Sequence, residues 1–457
     1  MATSATTPHR RIAPGPRGVP VFGNMFDFGR DPLRYYPDMH RRYGDVVRFH
    51  GPRGSSWFLI AHPDDIEHVF KSKHYPKGII TEPIKSLIGN GLLTSEGDFW
   101  RRQRRLAAPA FHRQRLISLG AMMAQAGDRA AERWRPAARA GQPVDVAADM
   151  MRVTLEIVGR ALFSVDVSDE ADDVARALPV ALEYVNHRST RPWALPEQWP
   201  TPRNLRFRRA LRTLDAIVYR MIEERRRTGE DNGDLLSMLL HARDEDTGER
   251  MDDQQLRDEV MTLFLAGHET TAVMLSWTWH LLAQHPAVEQ QLHAELDAVL
   301  AGRLPTVEDL PSLPYTRMVM EETLRLYPPA WAIGRQSTIE DELRGYYIPR
   351  NAPLLISPYV THRHPEFWEA PERFDPQRFT PDQVASRPRF AYFPFGGGPR
   401  ICIGNNFALM EGHLLLAVFA SRYRLRPAPG HPIVPEPTIT LRPKYGLRMM
   451  IEERRAA

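Results

Sequence analysis

The feature that most restricts this chain is one stretch, Phe395 to Gly404, which reads Phe-Gly-Gly-Gly-Pro-Arg-Ile-Cys-Ile-Gly. Its cysteine, Cys402, is the only one in 457 residues. An internal disulfide is therefore excluded, and so is a four-cysteine metal or cluster site. What remains is a single thiol with special backbone around it. Gly396, Gly397, Gly398 and Gly404 carry no Cβ and allow positive φ, so that backbone and a flat partner can approach closely. Arg400 and turning amides near the sulfur favour the thiolate, the form that binds metal. Asn405 to Leu416 reads as a helix whose positive dipole end lies near the sulfur.

Two plainer readings stand beside a ligand role. One is a buried structural cysteine next to a turn. The other is a phosphate-cradling loop, because a glycine run leads into a helix. That second reading lacks Gly-Lys-Ser/Thr and lacks a G-x-G-x-x-G within a strand-turn-helix unit.

A second stretch is as unusual. Met251 to Gln284 reads as one helix of about 34 residues, hence roughly 50 Å long. Asp252, Asp253 and Gln255 supply start signals, and Pro286 lies just beyond the end. Its middle is Phe264-Leu265-Ala266-Gly267-His268-Glu269-Thr270-Thr271, a polar patch inside an apolar helix. The glycine alone lowers helix stability by about 1 kcal/mol, and threonine hydroxyls bond back to the preceding turn. A purely structural helix has little reason for such residues. His268-Glu269 invites a zinc-protease reading, but H-E-x-x-H needs histidine where Ala272 stands. His268 is read as a core or surface histidine in preference to a ligand.

Elsewhere the order is mainly helical. Residues 1–13 are expected to be a disordered tail, and Pro14 to Asn24 an opening segment rich in proline and glycine. Leu33–Tyr43 and Pro63–Lys71 read as helices, and Val46–Phe49 and Trp57–Ile60 as paired strands across a Gly51-Pro52-Arg53-Gly54 turn. Tyr75 to Thr94 reads as a long functional loop. In the helix that follows, Trp100 and Arg104 lie i,i+4 on one face, an indole donor beside a guanidinium. Such a pair suits a carboxylate; a basic surface helix with one buried tryptophan is the alternative. Val144–Phe163 and Leu205–Arg227 are amphipathic, and Thr190 to Pro200 breaks the helical pattern between them. Arg225-Arg226-Arg227 after Glu223-Glu224 reads as a solvated face. Tyr346–Pro349 and Leu354–Ile356 fit a small sheet, and Thr438–Leu441 with Leu447–Ile451 a last hairpin.

The pattern Phe395-x-x-Gly398-x-Arg400-x-Cys402-x-Gly404 resembles the haem-binding loop of the cytochrome P-450 monooxygenases, and three further motifs follow that family's order. Ala266-Gly267-x-Glu269-Thr270-Thr271 resembles its oxygen-activation segment. The resemblance implies that Ala266 and Gly267 let the helix approach haem, that Thr270 contacts dioxygen, and that Glu269 is its partner in proton delivery. Trp100 and Arg104, with Arg335, resemble the partners of the haem propionates. Glu322-x-x-Arg325, by itself a common surface pair, resembles the family's buried structural pair, joined by an arginine from a later P-x-R-F stretch. Arg373 and Arg378 both occur in such stretches, and the spacing from His362-Arg363-His364 selects Arg378. Leu263, Ala330, Trp331 and Ile333 would line the substrate pocket, although outward packing is equally open to Trp331.

The implied fold is mainly α with small β-sheets, haem lying between the long central helix and the cysteine loop, with residues 14–457 as one catalytic domain. The implied cofactor is haem b with Cys402 as axial ligand. The implied reaction inserts one atom of O2 into an apolar small molecule, a fatty acid or a terpenoid. Electrons come from NAD(P)H through a separate ferredoxin or flavodoxin and its reductase. A peroxide-using or non-oxidative haem-thiolate enzyme would share the loop but lack the Glu269–Thr270 pair, and a haem sensor would need no long pocket-lining segments.

The formal charge of +4 with pI near 9.2 reads plainly as solubility, and arginine clusters near the implied cofactor would favour an acidic redox partner. No nucleic-acid module and no membrane anchor are read in the chain, because the N-terminus is polar and no run of about 18 apolar residues occurs. The expectation is a monomer in a reducing cytoplasmic setting, in keeping with a lone thiol.

Overall fold

A computed structural model describes residues 10–24, 31–51, 54–164, 171–191, 194–241, 243, 248 and 250–454. The tail expected at 1–13 falls outside these as far as residue 9, as do Pro52 and Arg53 of the first turn and Pro192 and Trp193 of the 190–200 segment. Residues 10–13 make specific contacts. Ala13 is buried in a core cluster, the Arg11 carbonyl accepts the Tyr347 amide at 2.9 Å, and Arg10 bonds Glu340 at 2.7 Å. The chain divides into two compact units: Met1–Thr81, Trp331–Pro371 and Arg387–Ile401 form one, Glu82–Ala330, Glu372–Ser386 and Cys402–Ala457 the other.

In the first unit a helix at Pro32–Tyr43 precedes a four-stranded sheet in the order Val46–His50, Ser56–Ile60, Pro353–Ile356, Ile333–Gln336. Side chains alternate across it. One face collects Val46, Phe58, Ile60, Leu354 and Ile356 against Ile66, Val69 and Phe70 of helix Pro63–Lys71. The other collects Val47, Phe49, Leu59 and Leu355 with Tyr36 and Met39. Tyr346–Ile348 does not join this sheet; it pairs with Asp341–Leu343. His40 Nε2 and His364 Nε2 both reach Asp45 Oδ1, at 3.0 and 2.9 Å. His364 Nδ1 accepts the Glu366 amide at 3.2 Å, so its Nε2 carries the proton and donates to Asp45. Burial opposes the charged carboxyl, yet the donors from His364 and His40 hold it below the usual range. This tautomer makes the trio a hydrogen-bonded tie between segments and leaves His364 no lone pair for a metal at Nε2.

The second unit is built on the helix Asp253–Gln284, capped by Asp252 accepting the Gln255 amide at 2.7 Å. It packs on helix Val146–Phe163, whose Thr154 hydroxyl donates to the His268 carbonyl at 3.0 Å. The helix Pro202–Thr228 does not leave its arginine run wholly in solvent. Arg225 is buried, forms a two-pronged pair with Asp234 at 2.7 and 2.8 Å and donates to the Phe163 carbonyl. Helical periodicity sets it on the same face as Met221 and Ile222, while Arg226 and Arg227 are exposed. The region read as a long loop before residue 94 contains a 3-10 turn at Gly78–Thr81 and a helix at Glu82–Ile88.

The C-terminal strands pair differently from the hairpin expected. Leu441–Pro443 pairs with Pro435–Pro437, while Arg448–Glu453 lies between Pro143–Asp145 and Tyr423–Pro427. A strand bounded by two prolines gives no strand signal in sequence, which hid the partner of Leu441–Pro443.

Candidate functional site

The glycines of the cysteine loop divide by what surrounds them. At Gly398 φ is +63°, and a Cβ would stand 2.1 Å from the Phe70 carbonyl oxygen. At Gly397 a Cβ would meet the Phe390 and Phe70 rings at 2.3 and 2.9 Å. These two are therefore required by the protein's own backbone and rings, the close backbone approach expected of the run. Gly404 differs: its φ is not positive, and a Cβ would meet only Phe111, at an ordinary 3.7 Å. No protein atom demands glycine there.

The loop continues through a 3-10 turn at Gly398–Arg400, closed by the Ile401 amide on the Gly398 carbonyl at 3.1 Å. Phe395 and Arg400 are half-buried. Cys402 is exposed and in no disulfide, two residues ahead of Gly404, the N-cap of helix Asn405–Arg422. Gly412 faces the central helix, where a Cβ would lie 2.3 Å from Met274 Cε, the movable end of that side chain. Met274 is one turn beyond Thr270.

Trp100 and Arg104 share the helix Gly97–Ala107, as their spacing requires, and both are half-buried. Burial lowers the Arg104 guanidinium's pKa, and the charge of Cys402 opposes that shift. The arginine and the thiol are thus electrostatic neighbours. In the first unit, Arg335 is buried with its guanidinium 5.0 Å from the Phe70 ring centre and 2.8 Å from the Gly334 carbonyl. Ile333 Cδ1 lies 3.9 Å from where a Gly396 Cβ would be. Trp331 packs outward, stacked on Tyr36 with ring centres 6.4 Å apart, in the cluster on the far face of the sheet. Ala330 is half-exposed.

The central helix has one opening. From Leu256 to Leu282 every residue is buried except Ala266, Gly267 and Thr270, which lie at i, i+1 and i+4 and so share a face. Ala266 is exposed there, and Leu263, one turn earlier, is buried. The Thr270 hydroxyl donates to the Ala266 carbonyl at 2.9 Å. Gly267 has a further reason to be small: a Cβ would come within 2.9 Å of Val158 Cγ2, so its first service is the packing of two helices. His268 is a core histidine, bonded to the Phe264 carbonyl at 2.9 Å and pushed down to about 4 by burial.

Glu269 is buried and turned toward the C-terminal hairpin. The Thr440 hydroxyl donates to its Oε1 at 2.7 Å. Burial raises the carboxyl's pKa, with Thr440 and Arg442 opposing. Thr440 was not legible as a site residue, because it belongs to no motif and stands far from 269 in sequence.

Glu322 and Arg325 are fully buried and joined twice, at 2.6 and 2.7 Å. Arg378 brings Nε to 3.5 Å from Glu322 Oε1.

A family model described as cytochrome P450 matches residues 13–449. The chain is 40% identical to cyclooctat-9-en-7-ol 5-monooxygenase of Streptomyces melanosporofaciens over 94% of its own length and 93% of the relative's. It is 36% identical to pentalenene oxygenase of Streptomyces avermitilis, covering 96% and 97%. The heme domain of cytochrome P450DA, a solved structure, superposes with a TM-score of 0.89 at 26% identity, covering 98% of this chain and 99% of that one.

Proposed function

Because the chain belongs to the cytochrome P450 family of haem-dependent, dioxygen-using monooxygenases, we propose that it hydroxylates a terpenoid hydrocarbon or alcohol, with Cys402 as the haem ligand. The observation that carries the reading is the opening in the central helix. A helix buried over so many residues leaves one face bare at Ala266, Gly267 and Thr270, where a flat cofactor and a small molecule need access. The donor set also fits haem: one exposed thiol at a helix start with Arg104 as its charged neighbour, and a Gly404 that no protein atom requires. The substrate class rests on the relatives, whose names specify a cyclic alkenol and pentalenene.

Bound through a thiolate, haem supplies dioxygen cleavage and transfer of one oxygen atom to carbon. The chain's own residues do the rest. Cys402, two residues ahead of the N-cap of helix Asn405–Arg422, would supply the thiolate ligand. Trp100, Arg104 and Arg335 would each be donors to the propionates of a bound haem. Thr270 presents a hydroxyl at the bare face, and Glu269, the preceding residue, buried against Thr440, would be the acid that supplies its proton. Leu263, Ala330 and Ile333 give the substrate apolar walls. Phe395, Gly398 and Arg400 shape the thiol loop, and Glu322, Arg325 and Arg378 brace the segment leading to it. The match over residues 13–449 supports one catalytic domain spanning 14–457. Electrons arrive from NAD(P)H through a ferredoxin or flavodoxin and its reductase; the exposed Arg101 and Arg105 on the Trp100 helix suit an acidic partner. Among the described residues no helix is long and apolar enough to cross a membrane.

The test is a panel of cyclic terpenes, terpene alcohols and straight-chain fatty acids, scored by displacement of haem-bound water in the Soret region and by product analysis. Shifts and hydroxylated products from the terpenes are expected. Turnover of fatty acids alone would overturn the substrate class while leaving the family intact.

A further inference from the structure

Glu269 is a buried carboxyl whose side chain has, among the described residues, one hydrogen-bond donor, the Thr440 hydroxyl at 2.7 Å. That hydroxyl is aimed by a braced turn. The amide and the hydroxyl of Thr438 both donate to the Thr440 carbonyl, at 3.0 and 2.9 Å. On the other side the Leu441 amide donates to the Pro329 carbonyl at 3.0 Å, and the Leu441 carbonyl accepts Trp277 Nε1 at 2.7 Å. The backbone around Thr440 is thus pinned to the helix that carries Glu269.

We propose that Thr440 is the positioning residue for Glu269, fixing its carboxyl and stabilising the carboxylate left when its proton passes to the open face at Thr270. The inference rests on the acid role given to Glu269 above. In this step the carboxyl O–H bond breaks, the proton leaves, and the negative charge stays on an oxygen pair that already accepts the Thr440 hydroxyl; solvent later returns the proton. Burial alone makes that charge costly. A donated hydrogen bond offsets part of the penalty. The other charged or titratable groups near the acid are Arg442, which is paired with Glu436 at 3.1 Å, and the neighbouring His268, held neutral by burial. Thr440 is therefore the direct partner, and Arg442 acts only through space.

The experiment uses the haem-loaded enzyme with Thr440→Val, Thr440→Ser and Glu269→Gln. Infrared difference spectra locate the carboxylic C=O stretch of Glu269 by its loss in the Gln variant. In Thr440→Val that band should move to higher wavenumber, because the oxygen has lost its donor. The pH at which the band disappears should rise by about one unit or more, the worth of a hydrogen bond to a charged group. The fraction of electrons recovered in product, measured with the terpene of largest Soret shift, should fall several-fold, and Thr440→Ser should restore all three readings. An unmoved band and midpoint in Thr440→Val would overturn the inference, as would the absence of any Glu269 acid band near neutral pH. If Glu269→Gln keeps wild-type coupling, the acid role of Glu269 fails with it; if that variant is impaired and Thr440→Val is normal, only the role of Thr440 fails.

Discussion

Arg378, and not Arg373, brings its guanidinium to Glu322, at 3.5 Å. Arg373 contributes only its backbone carbonyl, which accepts Arg325 Nη2 at 3.0 Å, while its side chain turns out to Asp375. Breaking a buried ion pair from one side leaves an uncompensated charge, at a cost of about 3–5 kcal/mol. Glu322→Ala should destabilise the fold by that order in denaturant titration, and Arg378→Ala by a smaller amount. Arg373→Ala, which removes an exposed pair, should cost less than about 1 kcal/mol.

Cys402→Ser removes the sole thiol. The reduced carbon monoxide complex of this variant should lose the red-shifted band that thiolate ligation gives. A difference spectrum with the band intact would exclude Cys402 as the ligand.

Thr270→Ala deletes the hydroxyl at the bare face and its bond to the Ala266 carbonyl without touching the buried stripe. Haem content should be unchanged. Product formation should fall by ~10²-fold, the lower end of what positioned proton transfer contributes, with the electrons recovered as hydrogen peroxide. The check is the ratio of peroxide to product per NAD(P)H consumed.

Two alanine substitutions in one loop should behave oppositely. Gly398→Ala combines a φ of +63° with a Cβ 2.1 Å from the Phe70 carbonyl, and should destabilise the protein by about 1–3 kcal/mol. Gly404→Ala meets no such obstacle. Its apoprotein should unfold like the parent, while its haem uptake falls, read as the ratio of Soret to protein absorbance.

Glu259, near the start of the central helix, is buried and accepts the Leu92 amide through Oε2 at 2.9 Å. Burial pushes its carboxyl from 4.5 up to about 8. A folded-state pKa above the unfolded one means that the folded chain binds the extra proton between those values. The stabilisation is complete below about 4.5 and is lost as pH rises toward about 8. Glu259→Gln carries no ionisation, so its stability measured between those limits should fall less steeply with pH than the parent's.

The parts of the site that sequence disclosed are those carried by local spacing. Trp100 with Arg104, Glu322 with Arg325, and the threonines of the central helix keep their relations because a helix fixes i,i+3 and i,i+4 geometry. The helix at Pro63–Lys71 was legible from its proline and its acidic first turn. What sequence could not disclose were partners brought by tertiary packing. Gly267 answers to Val158 and Gly398 to the Phe70 carbonyl, and in each case the reason for the glycine lies on another element. The burial of Arg225 is hidden in sequence, because a charge run does not show which member turns inward. Trp331 offered two directions, and only the aromatic cluster around Tyr36 decided between them.

The turn that holds Thr440 also bears on how the polypeptide is made. Its two ties to the central helix, Thr440 to Glu269 and Leu441 to Trp277, join positions 171 and 164 apart. A chain emerging from the ribosome would form that helix first, with the 269 side chain waiting for its companion until the segment 171 positions later has been synthesised. Loss of the segment around Thr440 would therefore strike at the chemistry of a residue laid down long before.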